Sequence, residues 1–167
     1  MKTLILGGAR SGKSKFAQKL AKQSLKQVVY LATATAEDAE MQERIKKHQL
    51  DRPTEWLTVE EPIYLADAIF KYADEKCIIV DCLGLWLTNL LLKNEALFFE
   101  EKSKFIETLR AHESSIILVS NEVGMGIVPS GNLARRFRDE IGFLHQQLGT
   151  ICDQVILMLA GFPTQIK

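Results

Sequence analysis

Gly7-Gly8-Ala9-Arg10-Ser11-Gly12-Lys13-Ser14 is the most informative motif in this 167-residue chain. It matches the phosphate-loop pattern G-x-x-x-x-G-K-[ST], whose glycines let backbone N–H groups wrap around a polyphosphate. Lys2-Thr3-Leu4-Ile5-Leu6 precedes it as a buried strand would, and Phe16, Ala17 and Leu20 follow it at helical spacing. A strand, a glycine-rich turn and the start of a helix, in that order, predict a site for nucleotide phosphates rather than a plain Gly-rich turn.

Two side chains of the loop and one later carboxylate predict how the phosphates are held. Lys13 is expected to reach the β- and γ-phosphates, and the Ser14 hydroxyl to bind Mg²⁺. Asp81 ends the apolar run Cys77-Ile78-Ile79-Val80, which is the Walker B arrangement. Its carboxylate is therefore expected to hold Mg²⁺ opposite Ser14, directly or through water. An aspartate there also suits the N-cap of a helix, and the two roles are compatible.

The segment Asp81-Cys82-Leu83-Gly84 also fits the D-x-x-G switch of small GTPases. A regulatory GTPase is expected to carry an Asn-Lys-x-Asp guanine reader as well. Because none of the four asparagines is followed by lysine, a GTPase switch is not favoured.

Apolar runs alternate with helical patterns along the chain. The predicted strands are residues 2–6, 27–32, 76–81, 115–120 and 154–159, and the predicted helices are residues 13–23, 38–48, 63–72, 85–92, 99–110 and 133–148. This alternation predicts one α/β domain over residues 1–167, with a mostly parallel sheet between two helical layers. Such sheets bind ligands outside the carboxyl ends of their strands. The segments at those ends are 7–14, 33–36, 81–84 and 120–130.

Composition narrows the possible classes of function. Hydrophobic residues make up 47% of the chain, and 21 Lys and Arg balance 21 Asp and Glu, which argues against general electrostatic binding of nucleic acid or an anionic membrane. The longest apolar run, residues 83–92, is too short and interrupted to span a bilayer. The first strand begins without room for a signal peptide. We therefore expect a cytoplasmic enzyme with three buried free cysteines, Cys77, Cys82 and Cys152.

The histidines are candidate nucleophiles. Arg44 and His48 share one face of the predicted helix, which ends ahead of Arg52-Pro53. An imidazole at a helix end is largely neutral near neutral pH and suits attack on, or donation to, a phosphate. From the pattern alone, a solvated side chain is the competing interpretation of His48. His112 and His145 lie in amphipathic helices, where a structural role is the simpler interpretation.

Two further features follow the strand predicted at 115–120. The loop Asn121-Glu122-Val123-Gly124-Met125-Gly126-Ile127-Val128-Pro129 combines two glycines with nonpolar residues, which predicts a shaped, partly buried loop at the ligand edge. Arg135, Arg136 and Arg138 then begin a helix. Guanidinium groups suit phosphates or carboxylates, and a solvated basic helix face is the alternative.

Together these residues resemble one family, the bifunctional adenosylcobinamide kinase/adenosylcobinamide-phosphate guanylyltransferases of cobalamin biosynthesis. The resemblance runs almost from end to end. It rests on the phosphate loop, Tyr30-Leu31-Ala32-Thr33-Ala34, Asp38-Ala39-Glu40-Met41, Arg44-Ile45, His48, Arg52-Pro53, Trp56, Thr58, Glu60, Asp81-Cys82, Thr88-Asn89-Leu90-Leu91, the loop at 121–129 and Arg138-Asp139.

This resemblance implies a P-loop fold with a RecA-like core, a homotrimer and two reactions. ATP or GTP phosphorylates the aminopropanol hydroxyl of adenosylcobinamide, and GTP then transfers GMP to that phosphate, giving adenosylcobinamide-GDP and pyrophosphate. The guanylyl group passes through a histidine that matches His48, which joins Lys13 as an expected catalytic residue. The expected nucleotide contacts are Gly7, Gly8, Ala9, Arg10, Ser11, Gly12, Lys13, Ser14, Thr33, Ala34, Thr35, Gln49, Leu50, Asp51, Arg52, Glu60 and Asp81.

Two other functions stay open at this point. One is a P-loop kinase for another small metabolite, with His48 merely structural. The other is a nucleotide-switched binding module, against which the missing guanine reader and the arginine-rich helix start both count. For the large, partly apolar corrinoid, the candidate contacts are Trp86, Met125 and Phe137, or none of them.

Overall fold

The apolar runs predicted as strands pair side by side in one sheet. The computed structural model describes residues 1–35, 43, 52–73 and 76–167. The strands are β1 (Lys2–Gly7), β2 (Gln27–Ala32), β3 (Leu57–Glu60), β4 (Lys76–Asp81), β5 (Ser115–Asn121), β6 (Gln154–Leu159) and β7 (Phe162–Gln165). They follow the order β3-β2-β4-β5-β1-β6-β7, and all neighbours are parallel except β6 and β7.

Helices cover both faces of this sheet. They are α1 (Lys13–Gln23), α2 (Leu65–Tyr72), α3 (Leu83–Leu91), α4 (Glu95–Ala111) and α5 (Asn132–Ile151). Successive residues of β1 belong to different hydrophobic clusters. Leu4 packs in the cluster formed with α2 to α5, whereas Ile5 packs with Ala17 and Ala21 of α1. Strands buried on both faces need continuous apolar runs, so the prediction of a three-layer α/β fold is confirmed. The single-domain expectation for residues 1–167 stays a prediction.

The strand order fixes what meets at the carboxyl edge of the sheet. β5 lies between β1 and β4, with Gly7 opposite Asn121 and Asp81 opposite Val119. The phosphate loop, Asp81 and the loop after β5 therefore leave the sheet at one edge, where ligands bind in open α/β sheets.

The sequence patterns did not predict two of the strands, β3 and β7. β3 is four residues long at one edge of the sheet, and β7 is an exposed antiparallel edge strand that contains Pro163. Short, solvated edge strands lack the apolar run that identifies buried ones. Of the expected helix at 38–48, only residue 43 lies within the described residues.

Two helices begin at other residues than predicted, and a side chain accepts hydrogen bonds from backbone N–H groups near each start. The Glu61 carboxylate accepts from the backbone N–H groups of Ile63 and Tyr64 at 3.0 and 2.8 Å, and α2 begins only at Leu65. Asn94 accepts from Leu97 N at 2.9 Å, so α4 begins four residues earlier than predicted, at Glu95.

Candidate active site

The backbone of residues 7–14 forms a tight turn between β1 and α1. Gly7 and Gly12 have backbone φ angles of 154° and 94°, which residues other than glycine rarely adopt. A Cβ on Gly7 would lie 2.7 Å from both Met158 O and Ser11 Oγ. The glycines of the pattern are therefore required by backbone conformation and by close packing.

Lys13 folds back over this turn. Its side chain is 7% exposed, and Nζ donates to the carbonyl oxygens of Gly7 and Gly8 at 2.9 and 2.6 Å. Ser14 follows it in the first turn of α1 and is partly exposed, while Gly8, Ala9 and Arg10 are exposed at the tip. The turn thus presents an ammonium group, a hydroxyl and a helix N-terminus together, which is an arrangement suited to anions.

Asp81 lies at the end of β4 as predicted. Its Oδ2 accepts a 2.5 Å hydrogen bond from the hydroxyl of Tyr30 on β2. Burial and the nearby Asp81 carboxylate raise the pKa of Tyr30 far above its usual value, so the phenol keeps its proton and acts as the donor. The Asp81 carboxylate is therefore held by a side chain of the neighbouring strand.

Thr33 ties the ends of β2 and β4 together. Its hydroxyl donates to Cys82 O at 2.7 Å and accepts from Cys82 N at 2.8 Å. Burial and the Asp81 charge raise the pKa of the Cys82 thiol to about 11, while the Lys13 charge acts in the opposite direction. Lys13 of the phosphate loop is therefore close enough to the end of β4 for its charge to act on the Cys82 thiol.

Arg52 joins this group from the other side of Tyr30. Its guanidinium carbon lies 3.8 Å from the centroid of the Tyr30 ring, close enough for a cation–π contact. Its Nε and Nη1 are buried and make no hydrogen bond among the described residues. Two buried guanidinium nitrogens without a partner in the described part of the chain are suited to a negatively charged oxygen of a ligand.

The remaining expected nucleotide contacts divide into two groups. Ala34 and Thr35 follow β2 at the same edge and are partly buried, and Glu60 ends β3 in an exposed position opposite Ala32. His48, Gln49, Leu50 and Asp51 lie outside the described residues.

The loop after β5 starts against the phosphate loop. Glu122 N donates to Gly7 O at 3.0 Å, and the Glu122 carboxylate accepts from Gly124 N at 2.6 Å and Met125 N at 3.3 Å. The expectation that this loop is partly buried holds for residues 121–123 and 129 but was wrong for residues 124–128, which are exposed. Met125 and Ile127 are 78% and 98% exposed, because the internal hydrogen bonds hold the loop without a covering core.

The three arginines at the start of α5 all have protein partners. Arg135 donates to Pro129 O at 3.1 Å and to Ser130 O and Asn132 Oδ1, Arg136 pairs with Glu95 at 2.5 Å, and Arg138 pairs with Asp139 at 2.9 Å. The structure thus favours the basic helix face over a phosphate cluster.

Other candidates also have structural roles. Trp86 is fully buried, and its indole N–H donates to Ile63 O at 2.7 Å. The His145 ring lies 2.7 Å from Ser120 Oγ, and burial lowers its pKa to about 4. The three cysteines are free and buried, as expected. In the part of the chain that is described, no helix is long and apolar enough to cross a membrane.

Sequence reasoning gave no role to Tyr30. It stands in an otherwise apolar strand and is 1% exposed, so it resembles an ordinary core residue. The usable signal is chemical, since a buried tyrosine hydroxyl needs a partner, and Tyr30 lies two residues before the end of its strand.

The fold is shared with solved P-loop proteins. The flagellar accessory protein FlaH from Methanocaldococcus jannaschii matches 99% of this chain and 77% of its own, with a TM-score of 0.54 and 16% identity. The RadB recombinase matches 93% of this chain and 73% of its own, with a TM-score of 0.52 and 17% identity. At these identities the likeness shows the fold alone, and the prediction of a P-loop NTPase fold is confirmed.

Sequence comparisons find relatives that are more similar to this chain than these solved structures are. The bifunctional adenosylcobalamin biosynthesis protein CobP of Pseudomonas aeruginosa is 48% identical, covering 100% of this chain and 98% of its own. The bifunctional adenosylcobalamin biosynthesis protein CobU of Escherichia coli is 37% identical and is matched over the full length of both chains. The model of the family described as cobinamide kinase/cobinamide phosphate guanyltransferase matches residues 3–166. This chain belongs to the cobinamide kinase/cobinamide phosphate guanyltransferase family of enzymes.

Proposed function

We propose that this protein phosphorylates adenosylcobinamide with ATP or GTP and then transfers GMP from GTP to the resulting phosphate. The observation that carries the proposal is the phosphate loop with Lys13 folded over it, in a chain that matches the family over residues 3–166. Asp81 and two Arg52 nitrogens without a hydrogen bond among the described residues support it. The products are adenosylcobinamide-GDP and pyrophosphate.

In the first step the acceptor hydroxyl attacks the γ-phosphorus of the nucleotide. The new oxygen–phosphorus bond replaces the bond to the β-phosphate oxygen, the hydroxyl proton leaves, and the nucleoside diphosphate departs. Backbone N–H groups of residues 8–14 and the Lys13 ammonium would bind the β- and γ-phosphates, where negative charge gathers. Lys13 must exchange its carbonyl partners, Gly7 O and Gly8 O, for phosphate oxygens when the nucleotide binds.

In the second step we assign the nucleophile to His48. An imidazole nitrogen attacks the α-phosphorus of GTP, and pyrophosphate leaves. The cobinamide phosphate then attacks the same phosphorus and releases the histidine. Two in-line displacements divide one difficult transfer into two, and the phosphate loop would hold the departing pyrophosphate.

Mg²⁺ suits the oxygen donors at this edge. A hydroxyl on Ser14 and a carboxylate on Asp81 are hard ligands of the kind Mg²⁺ takes beside phosphate oxygens. When bound, the ion would neutralise negative charge on the phosphates. Asp81 has one oxygen engaged by Tyr30, and its other oxygen is the one we assign to the metal or its water shell.

We further propose that the active form is a cytoplasmic homotrimer, on the strength of the family resemblance. Light scattering coupled to size-exclusion chromatography tests the assembly: a chain of 18.8 kDa should give a particle of three times that mass. A monomeric mass for the active fraction would refute it.

Labelled GTP tests the guanylyl step directly. After incubation with GTP labelled at the α-phosphate and acid-free isolation, the protein should carry label that acid removes, whereas GTP labelled at the γ-phosphate should leave none. His48→Ala should abolish both the α-label and guanylyl transfer but leave cobinamide phosphorylation measurable, because the kinase step needs no covalent carrier.

The outcomes separate the alternatives. Full guanylyl transfer by His48→Ala would exclude this histidine as the carrier. Phosphorylation of another small metabolite, with no activity on cobinamide and no α-label, would favour the plain kinase instead.

A further inference from the structure

We propose that Tyr30 is a positioning residue of the nucleotide site, with its hydroxyl fixing the Asp81 carboxylate and its ring fixing the Arg52 guanidinium. The inference rests on the proposed function only in taking Asp81 as the magnesium carboxylate and Arg52 as a ligand for nucleotide phosphate. One side chain would thereby set the positions of an anion and a cation at the same edge of the sheet.

The hydroxyl side of this arrangement links two neighbouring strands. Tyr30 lies on β2 opposite Ile79 of β4, and Asp81 lies two residues further along β4. Tyr30 is 1% exposed and its hydroxyl is 2.5 Å from Asp81 Oδ2. A partner that fixes one carboxylate oxygen restricts rotation of the group and leaves the second oxygen for the cation, as outer hydrogen bonds do for metal ligands in general.

The Tyr30 ring contacts Arg52, two of whose nitrogens have no hydrogen-bond partner among the described residues. Arg52 lies in the segment ahead of β3, with its guanidinium carbon 3.8 Å from the centroid of the Tyr30 ring. The ring face attracts the guanidinium, and the Tyr30 hydroxyl also interacts with it. Nε and Nη1 are buried and make no hydrogen bond among the described residues. Stacking thus orients the group while its N–H donors remain available to phosphate oxygens.

These two roles predict separate losses. Removing only the hydroxyl should weaken chiefly the magnesium-dependent part of nucleotide binding, because Asp81 loses its fixed orientation while the ring contact with Arg52 remains. Removing the ring as well should weaken binding without magnesium, because Arg52 then loses its support. A purely structural tyrosine would lower stability and all binding together.

The first test measures binding of a fluorescent GTP analogue to Tyr30→Phe, in EDTA and across a magnesium titration. We expect affinity in EDTA to stay within about twofold of the wild type and the magnesium concentration for half-maximal enhancement to rise about tenfold. In an Asp81→Asn background, Tyr30→Phe should change the magnesium dependence no further. An unchanged magnesium midpoint in Tyr30→Phe would overturn the hydroxyl role, as would equal losses with and without magnesium.

The second test uses Tyr30→Leu and Arg52→Ala. Each should weaken binding of the analogue in EDTA by about tenfold, and the double variant should be no weaker than Arg52→Ala alone, because both remove the same contact. Additive losses would show that the ring does not act through Arg52 and would overturn that half of the proposal.

Tyr72→Phe is the matched control. Tyr72 ends α2 and is half-buried, and its ring lies 5.5 Å from the Nζ of Lys76, at the opposite end of β4 from Asp81. This variant should keep both the wild-type magnesium midpoint and the wild-type affinity in EDTA. A Tyr30→Phe protein without a cooperative thermal transition would assign the hydroxyl to folding and overturn the proposal. Since these binding measurements need no cobinamide, inactivity toward cobinamide would refute the proposed function and leave this test intact.

Discussion

Lys13 shows how one residue can be both buried and reactive. A lysine that is 7% exposed needs partners for its charge, and two carbonyl oxygens of its own loop accept from it. Phosphate oxygens are stronger acceptors than carbonyls because they carry charge. Nucleotide binding can therefore replace these bonds without leaving the ammonium unpaired.

At this residue we predict that Lys13→Ala lowers kcat/KM about 100-fold for both phosphorylation and guanylyl transfer, since both pass charge to phosphates in the same loop. Lys15→Ala, two residues along the same helix and exposed, is the control and should leave both rates within twofold. Steady-state kinetics with each substrate provides the measurement. Wild-type kinetics for Lys13→Ala in either reaction would contradict a single shared phosphate loop.

At the scale of elements, the turn between β1 and α1 demands glycine where helix α5 does not. We predict that Gly7→Ala lowers the free energy of unfolding by about 1–3 kcal/mol, because the new Cβ would meet Met158 O and Ser11 Oγ at 2.7 Å in a strained conformation. Gly142→Ala, in the interior of α5 with nothing within 4 Å, should instead raise it by about 0.5–1 kcal/mol.

Urea unfolding of both variants checks the opposite signs. If Gly7→Ala is as stable as the wild type, the close approach of β6 to the phosphate loop is not real. If Gly142→Ala is destabilised, the space beside that turn of α5 is too small for the added methyl group.

Elements also differ in how far the sequence predicts them. The central strands β1, β4 and β5 were predicted because burial on both faces demands continuous apolar runs. β7 was not, because its exposed edge position places no such demand on residues such as Pro163. Capping explains the shifted start of α4, since Asn94 acts through a single local hydrogen bond that periodicity does not show.

The candidate site divides in the same way. The phosphate loop and Asp81 were predictable because a short pattern specifies both backbone and chemistry. The exposed loop after β5 and the pairing of the three arginines were not, because each depends on which partners the fold brings near. The contact of Arg52 with Tyr30 joins residues 22 positions apart, and no local pattern encodes it.

In the molecule as a whole, α5 packs on the sheet through apolar side chains, and one polar contact with β5 lies beside them. The His145 ring lies 2.7 Å from Ser120 Oγ, and Ser120 is fully buried at the end of β5. Burial lowers the pKa of His145 to about 4, and the Glu122 charge opposes this shift. The folded protein therefore favours the neutral imidazole at this contact.

We predict that this preference makes the fold acid-sensitive. In the unfolded chain His145 titrates at about 6.5, so its contribution to stability is fully present above that pH. As pH falls toward 4, the unfolded chain gains a proton that the folded protein does not take up. The linkage predicts a loss of about 3 kcal/mol from this group. His145→Asn has no such proton to gain, so its free energy of unfolding should fall about 3 kcal/mol less than that of the wild type between pH 7 and 4. Urea unfolding at pH 7, 5.5 and 4 measures the difference, and parallel curves for the two proteins would show that the imidazole can be charged within the fold.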